Sequence, residues 1–153
     1  WYSGDHFEAL AAVHEKYPEK KLFFSEGCQE GGAHLGSWET GERYGHDLMG
    51  NLNHWTVAWT DWNIVLDEKG GPNHVGNYCD APVIADTSRD EVVYESSYYY
   101  IGHFSKYIRP GAKRIATTRY TDKLETTAFK NADGTIAAVV LNRTDHEIPY
   151  ILR

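Results

Sequence analysis

Apolar positions in the first half of the chain switch between a helical and a strand-like spacing. Phe7, Leu10, Ala11, His14 and Tyr17 recur at helical intervals and stop at Pro18. Asp5, with Glu8 three residues on, has the form of a capping box, so a helix over 5–17 is predicted. Leu22-Phe23-Phe24 then forms a short apolar run between the turn residues Pro18-Glu19-Lys20 and Gly27, which predicts a buried strand over 21–26. Regular alternation puts Leu22, Phe24 and Glu26 on one face of it. A second helix is predicted over 40–52, with Tyr44, Leu48 and Leu52 on its apolar side and Glu42, Arg43 and Asp47 on its polar side. A second buried strand over 56–66 would place Trp59, Asp61 and Asn63 on one face and Thr60 and Trp62 on the other. A short strand over 82–86 precedes a helix over 92–108, whose Tyr94, Tyr98, Ile101, Phe104 and Ile108 have the spacing of a packed face.

Pro110-Gly111 ends that regime. Beyond it come four short strand-like runs, 114–120, 125–130, 135–142 and 148–152, with the hairpin signal Asn131-Ala132-Asp133-Gly134 among them. Alternating helices and strands followed by antiparallel strands imply an α/β unit over 1–111 and an all-β unit over 112–153. Two long loops, 27–38 with four Gly and 67–80 rich in Gly, Pro and Asn, follow the two buried strands. Loops of that length in a compact domain are often functional.

Charge and composition narrow the function. A formal net charge of −7 argues against a nucleic-acid or anionic-membrane partner, and no apolar run is long enough to span a bilayer. The chain starts at Trp1 without Met and is expected to be a piece of a longer protein. Cys28 and Cys79 show no zinc spacing and are expected to be free thiols, a disulfide being the other possibility; no metal site is expected. Five Trp and eleven Tyr suit a core, a sugar-stacking wall or a protein interface.

Glu26, at the end of a buried strand, is the leading candidate for chemistry, because α/β barrels carry catalytic groups there. The alternative is a structural carboxylate paired with a neighbouring Lys or Arg. Asp61 and Asn63, among the large rings of Trp59 and Trp62, either build a polar and aromatic wall or hold the loop that follows.

Phe24-Ser25-Glu26-Gly27-Cys28, Gly36-Ser37-Trp38, Trp59-Thr60-Asp61-Trp62-Asn63, Gly70-Gly71-Pro72-Asn73, Asp80-Ala81-Pro82 and Tyr100-Ile101-Gly102-His103-Phe104-Ser105-Lys106 occur in this order. Together they resemble the C-terminal part of the family 30 glycoside hydrolases, across essentially the whole chain. The resemblance implies the end of strand 6 through helix 8 of a (β/α)8 TIM barrel, followed by strands of a β-sandwich domain. It implies retaining hydrolysis of a β-glucoside or oligosaccharide, glucosylceramide-like or a β-1,6-glucan, with no cofactor. By position, Glu26 matches the nucleophile, Trp62 a residue lining the sugar pocket, Trp1 and Tyr2 an aromatic pair ending the sixth strand, and Asn77 and Tyr78 the rim of the site. Cys79 and Gly76 stand where a member of the family has an apolar and a basic residue. The family's acid/base Glu follows an Asn, and no Asn-Glu pair occurs in these 153 residues. The expected partner is therefore the N-terminal part of the same barrel, and the segment alone is expected to be inactive. Asp61 is assigned a structural or positioning role. The rival reading is a non-catalytic carbohydrate- or partner-binding module.

Overall fold

The structure, a computed structural model, describes residues 5–152. Helix α1 (Phe7–Lys16) leads into strand β1 (Leu22–Gly27), helix α2 (Glu39–Asn53) and strand β2 (Thr56–Asp61). The capping box does not form. His6 is the N-cap without a side-chain hydrogen bond, and Asp5, at φ 69°, reaches instead to His46 Nε2 of α2 at 3.3 Å. Phe7 fixes α1 against α2: its ring stacks on His54 at 5.6 Å and lies where a methyl group on Gly50 would sit.

β1 and β2 pair in parallel. Their packed face rests on α2: Phe24 stacks on Trp59 at 5.4 Å, Tyr44 meets Trp59 edge-on at 4.9 Å, and Trp59 Nε1 donates to Asp47 Oδ2 at 2.6 Å. The opposite face is open, with Phe23 54% and Val57 60% exposed. Purely parallel strands are ordinarily covered on both faces, so this pair has the character of an incomplete sheet.

The run 56–66 is not one strand. β2 stops at Asp61, where the Trp62 amide donates to Gly27 O (2.8 Å) and to Asp61 Oδ1 (2.9 Å). The chain then starts a second sheet, in which β3 (Val65–Asp67) pairs in parallel with β4 (Val83–Asp86), and β4 pairs antiparallel with β5 (Glu91–Tyr94). Leu66, Cys79, Ala81 and Ile84 form its core. β5 takes the first turn of the predicted 92–108 helix, because Val92-Val93-Tyr94 is a β-branched and aromatic run beside an open β4 edge. Helix α3 is therefore Ser96–Ser105, with Glu95 as an extended N-cap. Of the predicted inward stripe, Phe104 is buried and Ile101 and Ile108 pack beside it, whereas Tyr94 and Tyr98 are 52% and 45% exposed and touch each other.

α2 and α3 approach closely at Gly41 and Gly45, where an added Cβ would stand 2.6 Å from the Tyr100 ring. Ser96 Oγ accepts from the Gly41 amide at 3.0 Å and donates to Ser37 O at 2.6 Å. A third, antiparallel sheet of β6 (Lys113–Ile115), β7 (Leu124–Lys130) and β8 (Ile136–Asn142) closes the structure. The predicted 114–120 strand ends early, and 148–152 is not a strand. Leu48, Met49, Phe104 and Val139 form the core joining this sheet to the helices. Asn131, in the β7–β8 turn, accepts from the Arg109 amide (3.0 Å) and donates to Tyr107 O (3.0 Å), clipping the hairpin to the segment after α3.

Candidate active site

Glu26 is the penultimate residue of β1 and is half-buried. The pairing register runs Phe24 with Trp59 and Gly27 with Asp61, three steps on β1 against two on β2. An opposite shift between Leu22 and Phe23 offsets it, so the two strands stay level overall and the ladder is irregular over Ser25–Glu26. Phe24 and Gly27 both face Trp59, and a Cβ on Gly27 would stand 2.8 Å from its indole. Simple alternation gave Glu26 the same face as Phe24; the irregular stretch gives that place to Gly27. The space beside Gly27 is thus filled by Trp59.

Opposite this stretch, β2 ends at Asp61 and Trp62 follows. Asp61 Oδ1 accepts from Tyr44 Oη (2.6 Å) and from the Trp62 amide (2.9 Å), so α2 holds the end of β2 through one carboxylate. Burial, more than any other influence, pushes Asp61 up to about 6; the Tyr44 and Trp62 hydrogen bonds pull the other way, and Asp80 adds to the rise. The Trp62 ring is left exposed, one residue past the position paired with Gly27.

The 67–80 loop is the candidate rim. Asp67 Oδ1 accepts the amides of Lys69 (2.9 Å) and Gly71 (2.8 Å), and Cys79 N donates to Gly70 O at 3.0 Å. Gly70, at φ 84°, has no room for a side chain against the Cys79 backbone. Tyr78 O accepts from Gly31 N (2.9 Å) and Gly32 N (3.1 Å), and Asp80 N donates to Gln29 O (2.7 Å). These bonds hold the rim loop against the loop that leaves β1, with the Asn77 and Tyr78 side chains exposed. Cys28 and Cys79 are unbonded thiols whose sulfurs lie 3.0 Å apart.

Glu26 and Trp62 thus lie at the C-terminal ends of β1 and β2, and Asn77 and Tyr78 lie on a loop hydrogen-bonded to the one that leaves β1. Trp1 and Tyr2 lie outside the described residues. Sequence reasoning missed Tyr44 as the partner of Asp61 and Asp47 as the partner of Trp59. Buried aromatic Oη and Nε1 groups demand acceptors, which was the available signal. It also missed the buried Asp80 and Glu95, both raised by burial; Asp80 Oδ2 and Glu95 Oε1 have no hydrogen-bond partner among the described residues. A cavity of about 640 Å³, lined by Phe24, Tyr44, His46, Asp47, Leu141 and Arg143 among others, lies on the α2 side of β1. None of the four candidate residues lines it, and two of its charged groups share one partner: Arg143 Nη1 donates to Glu125 Oε1 at 2.6 Å, and His46 Nδ1 meets the same carboxylate at 2.8 Å. Among the described residues no three His, Cys, Asp or Glu side chains converge on a metal-sized site, and no helix is long and apolar enough to cross a membrane.

The description "Glycosyl hydrolase family 30 TIM-barrel domain" matches residues 1–108, and "Glycosyl hydrolase family 30 beta sandwich domain" matches 111–153. The chain belongs to glycosyl hydrolase family 30: it carries part of the TIM-barrel domain together with β-sandwich sequence, in a mixed α/β structure. It is similar to lysosomal acid glucosylceramidase of Mus musculus, 40% identical over 150 residues, which covers 94% of this chain and 29% of that protein. It is similar, at 26% identity over 152 residues, to an endo-1,6-beta-D-glucanase of Neurospora crassa, covering 93% of this chain and 31% of that one. The crystal structure of SrfJ from Salmonella typhimurium superposes with a TM-score of 0.88 at 41% identity, over 94% of this chain and 33% of SrfJ. The chain thus spans about a third or less of the length of these relatives.

Proposed function

We propose that this chain is the C-terminal part of a retaining β-glycosidase acting on β-glucosides, with glucosylceramide-like lipids and β-1,6-glucan as the candidate substrates. In this reading β1 and β2 are the seventh and eighth strands of the barrel, α3 is its eighth helix, and the β-sandwich portion begins after residue 111. Glu26 is the nucleophile: its carboxylate attacks the anomeric carbon and forms a covalent glycosyl-enzyme. Trp62, Asn77 and Tyr78, with Trp1 and Tyr2, surround the sugar, and Asp61 positions Trp62. The acid/base carboxyl, needed about 5–5.5 Å from the nucleophile in a retaining enzyme, belongs to the N-terminal part of the barrel.

The observation that carries this reading is the parallel β1–β2 register. It pairs Gly27 with Asp61, so Glu26 comes just before and the exposed Trp62 just after one pair at the C-terminal ends of adjacent strands, which supports the reading because barrel enzymes build their sites there. The test uses the full-length protein and a 2-deoxy-2-fluoro β-glucoside with a good leaving group, which slows breakdown of the intermediate. Mass spectrometry is expected to find the sugar on the peptide containing Glu26. Glu26→Gln, which keeps the size and loses the attacking charge, is expected to lower kcat by several orders of magnitude with an unchanged melting curve. Label on Asp61, or activity persisting in Glu26→Gln, would remove Glu26 from its role. An unlabelled and inactive full-length protein would favour a binding module.

A further inference from the structure

We propose that Cys28 and Cys79 are a disulfide-forming pair that ties the loop leaving β1 to the rim loop 67–80. Their sulfurs stand 3.0 Å apart, inside the roughly 3.5–4.0 Å of ordinary non-bonded contact between heavy atoms. A disulfide requires about 2.05 Å, so only about 1 Å of closure separates the thiol pair from the bond. The backbones that carry them are already joined. Glu30 and Cys79 form a β-bridge, Asp80 N donates to Gln29 O at 2.7 Å, and Gly31 N and Gly32 N both donate to Tyr78 O. The bond would therefore close between two loops that are already hydrogen-bonded to each other.

The surroundings suit a disulfide better than two thiols. Cys79 is 1% exposed and packed with Leu66, Ala81 and Ile84, and Cys28 lies against the same apolar cluster. A disulfide has no proton to satisfy, whereas two thiols have two: one can be shared between the sulfurs at 3.0 Å, and the Cys79 thiol otherwise reaches Asn77 O at 3.7 Å. Cys28 is the more accessible sulfur and the point of entry for an oxidant. With a small-molecule disulfide such as oxidised glutathione, the Cys28 thiolate attacks one glutathione sulfur and releases the first glutathione thiolate. The Cys79 thiolate then attacks the Cys28 sulfur of the mixed disulfide and releases the second. The protein gives up two protons and two electrons, and one oxidised glutathione becomes two reduced ones. Burial, with the Cys79 contact, pushes the Cys28 thiol up to about 12, so exchange is slow at neutral pH and quickens as pH rises.

The bond would link residues 51 apart, two positions beyond Glu26 on one side and directly after Asn77-Tyr78 on the other. It would fix the rim relative to the strand end. That consequence for substrate rests on the proposed role of Glu26, but the crosslink does not. The experiment equilibrates full-length protein in a series of reduced/oxidised glutathione buffers, quenches in acid, alkylates under denaturing conditions and maps the peptides. The expected result is a peptide containing Cys28 joined to one containing Cys79, growing as the buffer becomes oxidising and lost on treatment with dithiothreitol. The oxidised protein should melt higher than the reduced protein by several degrees, and Cys28→Ser and Cys79→Ser should each abolish that difference. Both cysteines alkylated throughout the series, or only a glutathione adduct on Cys28, would overturn the proposal. Labelling of Glu26 by the fluoro-glucoside reports separately on the catalytic reading, so either can fail alone.

Discussion

Asp61 is the residue on which two kinds of evidence meet: geometry that fixes it and burial that makes its charge expensive. Tyr44 Oη at 2.6 Å and the Trp62 amide at 2.9 Å both donate to the same oxygen, Oδ1. Oδ2 is buried without a partner among the described residues. A neutral carboxyl carries no charge to solvate, so burial raises the folded-state pKa from the ordinary carboxylate value of 3.8 to about 6. The sign for stability follows from linkage. The folded state holds the Asp61 proton more tightly than the unfolded chain, so its contribution is fully present below about pH 4 and is lost as pH rises through about 6. Asp61→Asn keeps an acceptor for Tyr44 and Trp62 and cannot ionise. The wild type is therefore expected to lose on the order of 2 kcal/mol relative to Asp61→Asn between pH 4 and 7. Tyr44→Phe, which removes a bond favouring the ionised form, should move that loss to higher pH. Denaturant melts of the full-length proteins across this range check it, and parallel curves for wild type and Asp61→Asn would sink the account. At this scale the sequence was legible in part. The carboxylate near the end of β1 and the Trp59-to-Trp62 stretch at the end of β2 could be read from residue order, whereas alternation misassigned the face of Glu26. The Tyr44–Asp61 bond, spanning 17 residues, and the Cys28–Cys79 contact, spanning 51, could not, because local patterning carries no information about which distant element faces which.

At the scale of elements, the interface between α2 and α3 depends on residues that contribute no side chain. A Cβ on Gly41 would stand 2.6 Å from Tyr100 Cδ2, 2.7 Å from Ser96 Oγ and 2.8 Å from Ser96 Cβ. Ser96 cannot yield easily, since its hydroxyl is bonded to the Gly41 amide and to Ser37 O. Overpacking of this kind costs about 1–3 kcal/mol, against about 0.5–1 kcal/mol gained when Ala replaces Gly within a helix. Gly41→Ala is thus expected to destabilise, by roughly 1–2 kcal/mol net. Gly102, on α3, has no described atom within 4 Å of an added Cβ, so Gly102→Ala should stabilise by about 0.5–1 kcal/mol. Thermal melts of the two variants distinguish the cases; equal shifts of the same sign would mean that helix propensity, not the close approach, governs both sites. The helices over 5–17 and 40–52 and the first strand were readable because periodicity and breakers agreed there. The start of α3 was not. Tyr94 fits the helical stripe of Tyr98, Ile101 and Phe104, yet Val92-Val93-Tyr94 fits a strand equally well, and the presence of β4 as a pairing edge decided it. Likewise 56–66 has one continuous strand-like pattern. Only the turn of the Trp62 amide toward Gly27 O and Asp61, a tertiary event, ends β2 and begins a new sheet at β3.

For the molecule as a whole, the distribution of apolar surface argues that these residues need more chain around them. The core built from Leu48, Met49, Phe104 and Val139 is buried on all sides, and it binds the antiparallel sheet to α2 and α3. The parallel pair is different: Phe23 and Val57 are exposed along it, and two parallel strands are too few to be stable as a sheet. A barrel of the usual ~250 residues would cover that face with further strands and bring the second carboxyl opposite Glu26. The 153-residue chain by itself is therefore expected not to hydrolyse aryl β-glucosides and to bind an apolar fluorescent dye at the open face. Co-expression with the N-terminal part of its own full-length protein should abolish the dye signal and produce hydrolysis. That hydrolysis should depend both on Glu26 and on a carboxyl residue of the added part. Turnover by the pure segment, lost in Glu26→Ala, would show that both catalytic groups lie within these residues and that the shared-site account is wrong. Dye binding that persists when the two parts copurify would show that the β1–β2 face is not where they meet.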